Sequence, residues 1–270
     1  MKLGITGGNG FLGKHLQLAL KREGFFYELL DDYGRLEDAA AVSRFVEGKS
    51  VIIHLAGRNK GTDAEVCQAN VVGTQILLSA IEEIHAEVTV IFASSTQVYI
   101  SESYYGLTKK IAESLIKHYS QRSHRRIRGV ILRFTNLYGP GGKPFYNSVI
   151  ATFIRQIHSR SPVTLSGNGG EKRDFLYVAD AVTAILKSIE YSQKKQYSTF
   201  DICSGKKYSL NSVLGILSRY VSKKPEIIRG NEVQKEWLFR ADPAKAEKEL
   251  GWKPGISIEK GISQIMKYEN

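Results

Sequence analysis

Through its first 140 residues the chain alternates short apolar runs with longer segments of helical spacing. "KLGITG" is an apolar run, and "GKHLQLALKREG" spaces its apolar residues as one face of a helix that stops at Gly24. "FFYELLD" predicts a second strand, "LEDAAAVSRFVEGK" a helix and "SVIIHLAG" a buried strand. "DAEVCQANVVGTQILLSAIEEI" predicts a long amphipathic helix, followed by the strand "EVTVIFASS". The helix "LTKKIAESLIKHYSQ" and the strand "GVILRFTNLYG" complete the series. Strands that are apolar throughout have both faces covered, so the expected fold is α/β, a doubly wound parallel sheet.

After "YGPGGKP" the pattern loosens. "NSVIATFIRQIHS" and "AVTAILKSIEYS" have helical spacing; "YSTFDICSG" reads as a strand, and the tail mixes helices with short strands. Residues 1–140, with 174–207 returning to them, are expected to form the sheet domain. Residues 141–173 and 208–270 are expected to form a smaller, interleaved cap that binds substrate. A ligand would sit between the two, at the carboxyl ends of the strands.

Composition narrows the classes further. The chain is 42% hydrophobic and 24% charged, as globular domains are. Its two cysteines, Cys67 and Cys203, lack metal-ligand spacing and read as packing residues. No apolar run approaches the roughly 20 residues that span a bilayer, and "MKLGITGGNG" has no leader pattern. The expectation is a cytoplasmic protein with no membrane partner. A net charge of +11 suits an anionic partner. The basic cluster "RSHRRIR" follows a predicted helix, where cations complement the helix dipole. No pattern of a nucleic-acid module accompanies it, so the cluster reads as a helix end; nucleic acid, an acidic surface or a phosphorylated small molecule could each be the anionic partner.

"ITGGNGFLGKHL" places Gly7, Gly10 and Gly13 between the first strand and the first helix. Glycines there permit a sharp turn and close approach of a diphosphate, and the helix N-terminus supplies N–H donors to it. A dinucleotide is the implied ligand. The second strand ends in "LLDD", where Asp31, or Asp32, would bond ribose hydroxyls and favour NAD. Arg35 lies just beyond and could meet a 2′-phosphate, so NADP stays open.

In "ASSTQVYISESYYGLTKK", Tyr105 precedes Lys109 by four residues, which puts both on one helical face. A phenol's pKa of about 10 is high for a base, and a neighbouring ammonium would lower it. Ser95 ends the preceding strand and could bond the same substrate oxygen. Such a triad beside a dinucleotide suits alcohol–ketone interconversion by hydride transfer.

With these motifs the chain resembles the NAD-dependent epimerase/dehydratase family, extended short-chain dehydrogenases/reductases acting on sugar nucleotides. The resemblance runs through "TGGNGFLG", "VIIHLAG", "NVVGTQILLSA", "SSTQVY", "YGLTK", "LRFTNLYGPG", "GNGGEKRDFLYVAD", "DICSG" and "ADPAKAEKELGWKPG". It implies a Rossmann sheet with a C-terminal substrate domain. Gly7, Gly10, Phe11, Leu12 and Gly13 would line the pyrophosphate, and Leu55, Ala56, Gly57 and Asn70 would flank the adenosine and ribose side. Ser95, Tyr105 and Lys109 would be catalytic, with Tyr105 and Lys109 also touching the cofactor. Asn136, Arg173 and Arg240 would hold the diphosphate, or neighbouring groups, of a UDP- or dTDP-linked sugar. A homodimer through helices near 65–82 and 107–120 is implied as well.

The chain departs from the family in three places. Arg35 stands where relatives often carry Asp in a "GDL" element. Thr96 and Gln97 replace the Asp-Glu pair of the 4,6-dehydratases, which excludes that elimination. The segment Tyr99 to Tyr105 lacks a longer acidic loop, which should leave the pocket open. The leading expectation is a nucleotide-sugar 4-epimerase, in which hydride leaves carbon 4 and returns to its other face. The alternative is a 4-keto-sugar-nucleotide reductase using the same residues once with exchangeable cofactor. A cofactor-sensing or RNA-binding protein on this fold is the remote third reading.

Overall fold

The computed structural model describes residues 1–100, 102–122, 126–146, 148–165, 167–191, 195–222, 224–231 and 241–269. Its strands are β1 (Leu3–Thr6), β2 (Tyr27–Leu29), β3 (Val51–His54), β4 (Val88–Ser95), β5 (Ile127–Phe134), β6 (Asn136–Tyr138), β7 (Val163–Leu165), β8 (Lys172–Tyr177), β9 (Tyr197–Ile202), β10 (Lys207–Ser209) and β11 (Ile227–Arg229). Its helices are α1 (Phe11–Arg22), α2 (Ala39–Val46), α3 (Asp63–Cys67), α4 (Gly73–Glu83), α5 (Tyr104–Arg122), α6 (Val149–His158), α7 (Val178–Tyr191), α8 (Leu210–Leu217), α9 (Ala244–Leu250) and α10 (Ile258–Glu269).

Six strands form one parallel sheet in the order β2-β1-β3-β4-β5-β9, the doubly wound architecture expected. Both faces are covered. In β4, Ile91 points to a core shared with α1 and α7, whereas Val90 and Phe92 point to one shared with α2, α4 and α5. β4 and β5 stay paired up to Ser95 opposite Phe134, which carries Ser95 to the carboxyl edge. One element of the dinucleotide-binding order is missing. That order places a further strand outside the second one, but here β2 is the sheet edge. The chain runs from β2 through a short turn directly to α2, because "DDYGRLED" is too short for a crossover and a strand.

The strand predicted in "GVILRFTNLYG" divides at Thr135. β5 stays in the main sheet, and β6 leaves it to join β8 and β10 in a small side sheet. With β7, β11, α6, α8 and α10, this sheet surrounds a third core built on Tyr138, Phe153, Phe175 and Ile262. Of the segment 174–207, α7 and β9 return to the main sheet, while β8 stays with the cap. The tail, placed with the cap from sequence, divides too. Ala246, Leu250 and Trp252 enter the core under the main sheet, and the Trp252 indole donates to the Asp180 carbonyl at 2.9 Å. No helix among the described residues is long and apolar enough to cross a membrane. The described arginines flanking the basic cluster pair with carboxylates, Arg122 with Glu82 and Arg128 with Glu87.

Candidate active site

The glycine loop joins β1 to α1 at the carboxyl edge of the sheet. Gly7 takes a left-handed φ of +70°, and a Cβ there would stand 2.7 Å from the Ala56 nitrogen. At Gly13 a Cβ would stand 2.4 Å from the Gly8 carbonyl oxygen, so α1 rests directly on the loop. Gly10 gives α1 no side-chain cap, and the first turn carries no acidic residue. The N–H groups of that turn are therefore free to take an anion.

Two adjoining clefts open there. One, about 410 Å³, is lined by Gly7, Gly10, Phe11, Leu12 and Gly13 on one side. Leu55, Gly57, Ser95, Tyr105, Lys109 and Asn136 complete it. The other, about 930 Å³, shares Gly7 and Gly57 and continues along Ala56, Asp31 and Arg35. Of the two acidic residues ending β2, Asp31 lines this cleft. An anion-binding helix end at the junction, with a carboxylate and an arginine at the far end, fits an extended dinucleotide.

Tyr105 stands in the first turn of α5, partly exposed, and Lys109 lies one turn on and is buried. The Lys109 Nζ donates to the Ala93 carbonyl at 2.8 Å and sits 6.0 Å from the centre of the Tyr105 ring. Burial lowers the Lys109 pKa to about 8, with Glu113 opposing the shift. The expected lowering of the Tyr105 pKa is not found in the chain by itself: burial pushes it up to about 12. The Ser95 Oγ accepts from the Gln97 N–H at 3.2 Å and faces the cleft.

Three of the expected residues are not among those that line the two clefts. Asn70 is buried and lines neither cleft. It lies on a π-helical turn, Gln68–Val72, between α3 and α4. Its amide donates to the Arg58 carbonyl and the Thr108 hydroxyl and accepts from the Arg58 N–H, so its polar groups are used inside the protein. Arg173 also lines neither cleft; β8 carries it on the side sheet, where it pairs with Glu171 at 2.5 Å. Arg240 lies outside the described residues.

Asn70 instead ends a buried relay whose other members the sequence reading did not identify. The Ala56 N–H donates to the Thr6 hydroxyl, which donates to His54 Nδ1 at 2.6 Å. His54 Nε2 meets Thr74 Oγ1 at 3.0 Å, and Thr74 donates to the Asn70 carbonyl. Because Thr74 spends its proton there, His54 carries its hydrogen on Nε2 and is neutral. Burial, then the Lys109 charge, pushes the His54 pKa down to about 3. From Asn70 the path continues through Thr108, which donates to the Tyr105 carbonyl at 2.8 Å. The sole sequence hint was a histidine closing an otherwise apolar strand.

A second network braces the end of β4. Ser94 donates to Glu113 at 2.6 Å, and Arg133 grips the same carboxylate through two nitrogens. Arg133 also donates to the Tyr99 hydroxyl, which donates to Asp201 on β9 at 2.8 Å. The short loop before Tyr105 is closed by Ser103, whose hydroxyl donates to Gln97 Oε1 at 2.7 Å and accepts the Gly106 N–H. Gln97 thus serves as a loop tie in the region where dehydratases place carboxylates.

A model of the NAD dependent epimerase/dehydratase family matches residues 3–203. The UDP-glucuronate 4-epimerase of Thermodesulfobacterium geofontis is 30% identical, over 81% of this chain and 72% of its own. The GDP-6-deoxy-D-mannose reductase of Pseudomonas aeruginosa is 28% identical over 98% of this chain and 96% of its own. Among solved structures, UDP-glucuronic acid 4-epimerase from Bacillus cereus, in complex with UDP-glucuronic acid and NAD, superposes with a TM-score of 0.83. It is 27% identical, with 99% of this chain and 98% of that one covered. The chain belongs to the NAD dependent epimerase/dehydratase family, as an NAD(P)-dependent enzyme of the extended short-chain dehydrogenase/reductase type.

Proposed function

We propose that the protein is a nucleotide-sugar 4-epimerase acting on a UDP- or dTDP-linked sugar. The observation that carries this is one cleft lined by the glycine loop together with Ser95, Tyr105 and Lys109. Bound NAD supplies a reversible hydride acceptor and a positive ring that favours phenolate. Tyr105 holds the proton of the sugar's 4-hydroxyl when carbon 4 is oxidised, and returns it after the hydride comes back to the opposite face. Ser95 orients the same oxygen. Lys109, held on Ala93, keeps a positive charge near the phenol and the cofactor ribose. Asn136, whose amide donates to the Asp174 carbonyl at 2.8 Å, lines the sugar end of the cleft. Relatives that act on UDP-sugars support this substrate class.

A 4-keto-sugar-nucleotide reductase is the second reading. Arg35 lines the adenosine end of the cleft, where it suits the 2′-phosphate of NADP, and a reductase relative is nearly as similar as the epimerase. We also propose a cytoplasmic homodimer. Tyr104, Leu107 and Ile111 form an exposed apolar stripe at helical spacing on α5, with Val72 exposed on the neighbouring π turn.

The test is to purify the protein, denature it and identify released dinucleotide by mass spectrometry. UDP- and dTDP-hexoses are then assayed with wild type and Tyr105→Phe. Stoichiometric NAD with turnover lost in the variant supports the epimerase. An exchangeable site that binds NADPH and reduces 4-keto-6-deoxy sugar nucleotides replaces it with the reductase. Undiminished turnover in Tyr105→Phe overturns the assignment of the base.

A further inference from the structure

The reaction proposed above succeeds only if the cofactor stays in place between oxidation and return of the hydride. One segment of the chain is built across the cleft. At its first end, His15 Nε2 donates to the Pro140 carbonyl at 2.9 Å, and the His15 ring stands edge-on to Phe11 of the glycine loop's helix. At its far end, Lys60, on the loop after β3, donates from Nζ to the Phe145 carbonyl at 3.2 Å. Gly142 and Lys143 between these anchors, and Tyr146 just beyond the second, line the cleft that also holds Ser95, Tyr105 and Lys109. The segment 139–146 therefore reaches from α1 to the loop after β3, over the place where the diphosphate fits.

Two features of this strap have no structural return of their own. Phe145 adopts a left-handed φ of 58° while leaving 66% of its surface exposed, so a strained backbone presents an unburied aromatic. The Tyr146 ring has the ammonium groups of Lys60 and Lys143 at 5.6 and 5.9 Å from its centre. Each cation gains from the ring. The cleft beneath is lined by Arg58, Lys109 and Lys143 and by no carboxylate. A dinucleotide diphosphate in this cleft would be attracted by these cations, Lys143 of the strap among them, so ligand binding and strap closure favour each other.

We infer that the strap, latched by Lys60 and Tyr146, retains the dinucleotide, and that these two residues commit the enzyme to isomerisation rather than to reduction with cofactor exchange. The inference rests on the 4-epimerase reading above. It predicts slow cofactor release whatever the sugar.

The test is the dissociation rate of NADH, followed by its fluorescence after mixing with excess NAD, in wild type, Lys60→Ala, Tyr146→Ala, the double variant and Lys60→Arg. Each alanine variant should release NADH about five- to tenfold faster, within the range of a lost exposed cation–π and hydrogen-bond pair. The double variant should be no faster than the product of the singles, and Lys60→Arg should restore slow release. Circular dichroism confirms that each variant is folded. Rates equal to wild type in both folded alanine variants, or fast release from wild type itself, overturn the inference. If wild type holds NADH through the strap yet epimerises no sugar nucleotide, the reaction reading falls and the strap stands. If it epimerises while the variants release NADH unchanged, the strap alone falls.

Discussion

The ammonium of Lys109 is held 2.8 Å from the carbonyl oxygen of Ala93, two residues before Ser95 on the same strand. This contact ties α5 to β4. The hydrogen bond and the Phe92 ring, 4.5 Å from Nζ, only partly replace the water that burial removes.

Lys109→Met should therefore abolish turnover and stabilise the fold. The Lys109 pKa is about 8 in the protein against 10.5 free, so the native state binds fewer protons between those values. Its cost is full below pH 8 and fades as pH rises to 10.5. At pH 7 the variant should gain about 1–3 kcal/mol, raising Tm by a few degrees. Melting curves at pH 7 and pH 10 check this; a gain that fails to shrink at the higher pH contradicts it.

His54 titrates with the same sign. Its pKa falls from 6.5 to about 3, so its contribution to stability is complete above 6.5 and is lost as pH falls toward 3. His54→Leu leaves the Thr6 hydroxyl proton without its acceptor and should cost about 1–3 kcal/mol at pH 7. It should also lose less further stability than wild type between pH 7 and 4. Urea midpoints at the two pH values measure both effects.

Two glycines predict opposite outcomes for one substitution. A Cβ on Gly106 would stand 2.1 Å from the Gln97 carbonyl oxygen, so Gly106→Ala must move the loop tie or the start of α5. A loss of more than about 2 kcal/mol and of dinucleotide binding is expected. Gly215, exposed in α8, has open space where a Cβ would go. Gly215→Ala should stabilise by about 0.5–1 kcal/mol with activity unchanged. Thermal melts of both variants decide the pair.

The apolar stripe on α5 predicts that Leu107→Glu with Ile111→Glu converts a dimer into a monomer. Light scattering after size exclusion reads the mass directly. A wild-type monomer, or an unaltered dimer in the variant, removes this face from the assembly.

Much of the site was legible because its chemistry is local. Gly7, Gly10 and Gly13 act within a single strand-to-helix turn, and Tyr105 and Lys109 share one helical face, so spacing along the chain is already geometry. The alternation of apolar runs and helical periods likewise announced a parallel sheet. The surroundings of Asn70 and Arg173 were not legible, because they depend on partners distant in sequence or on the course of a strand. Asn70 turns inward because the π turn and Thr108 claim its amide, and Arg173 is carried off by β8 into the side sheet.

By itself, then, the sequence determined most of the elements, the glycine turn and the shared helical face of Tyr105 and Lys109, since each depends on neighbours within a few residues. Only the tertiary structure decided that β2 is left at the sheet edge, that Trp252 returns to the main core, and that His54 joins the glycine loop to Asn70. It also brought Lys60 and Phe145, 85 residues apart, together across the cleft. Those contacts depend on which surfaces remain to be buried and which polar groups to be paired once the sheet has formed, and no local period in the chain encodes that.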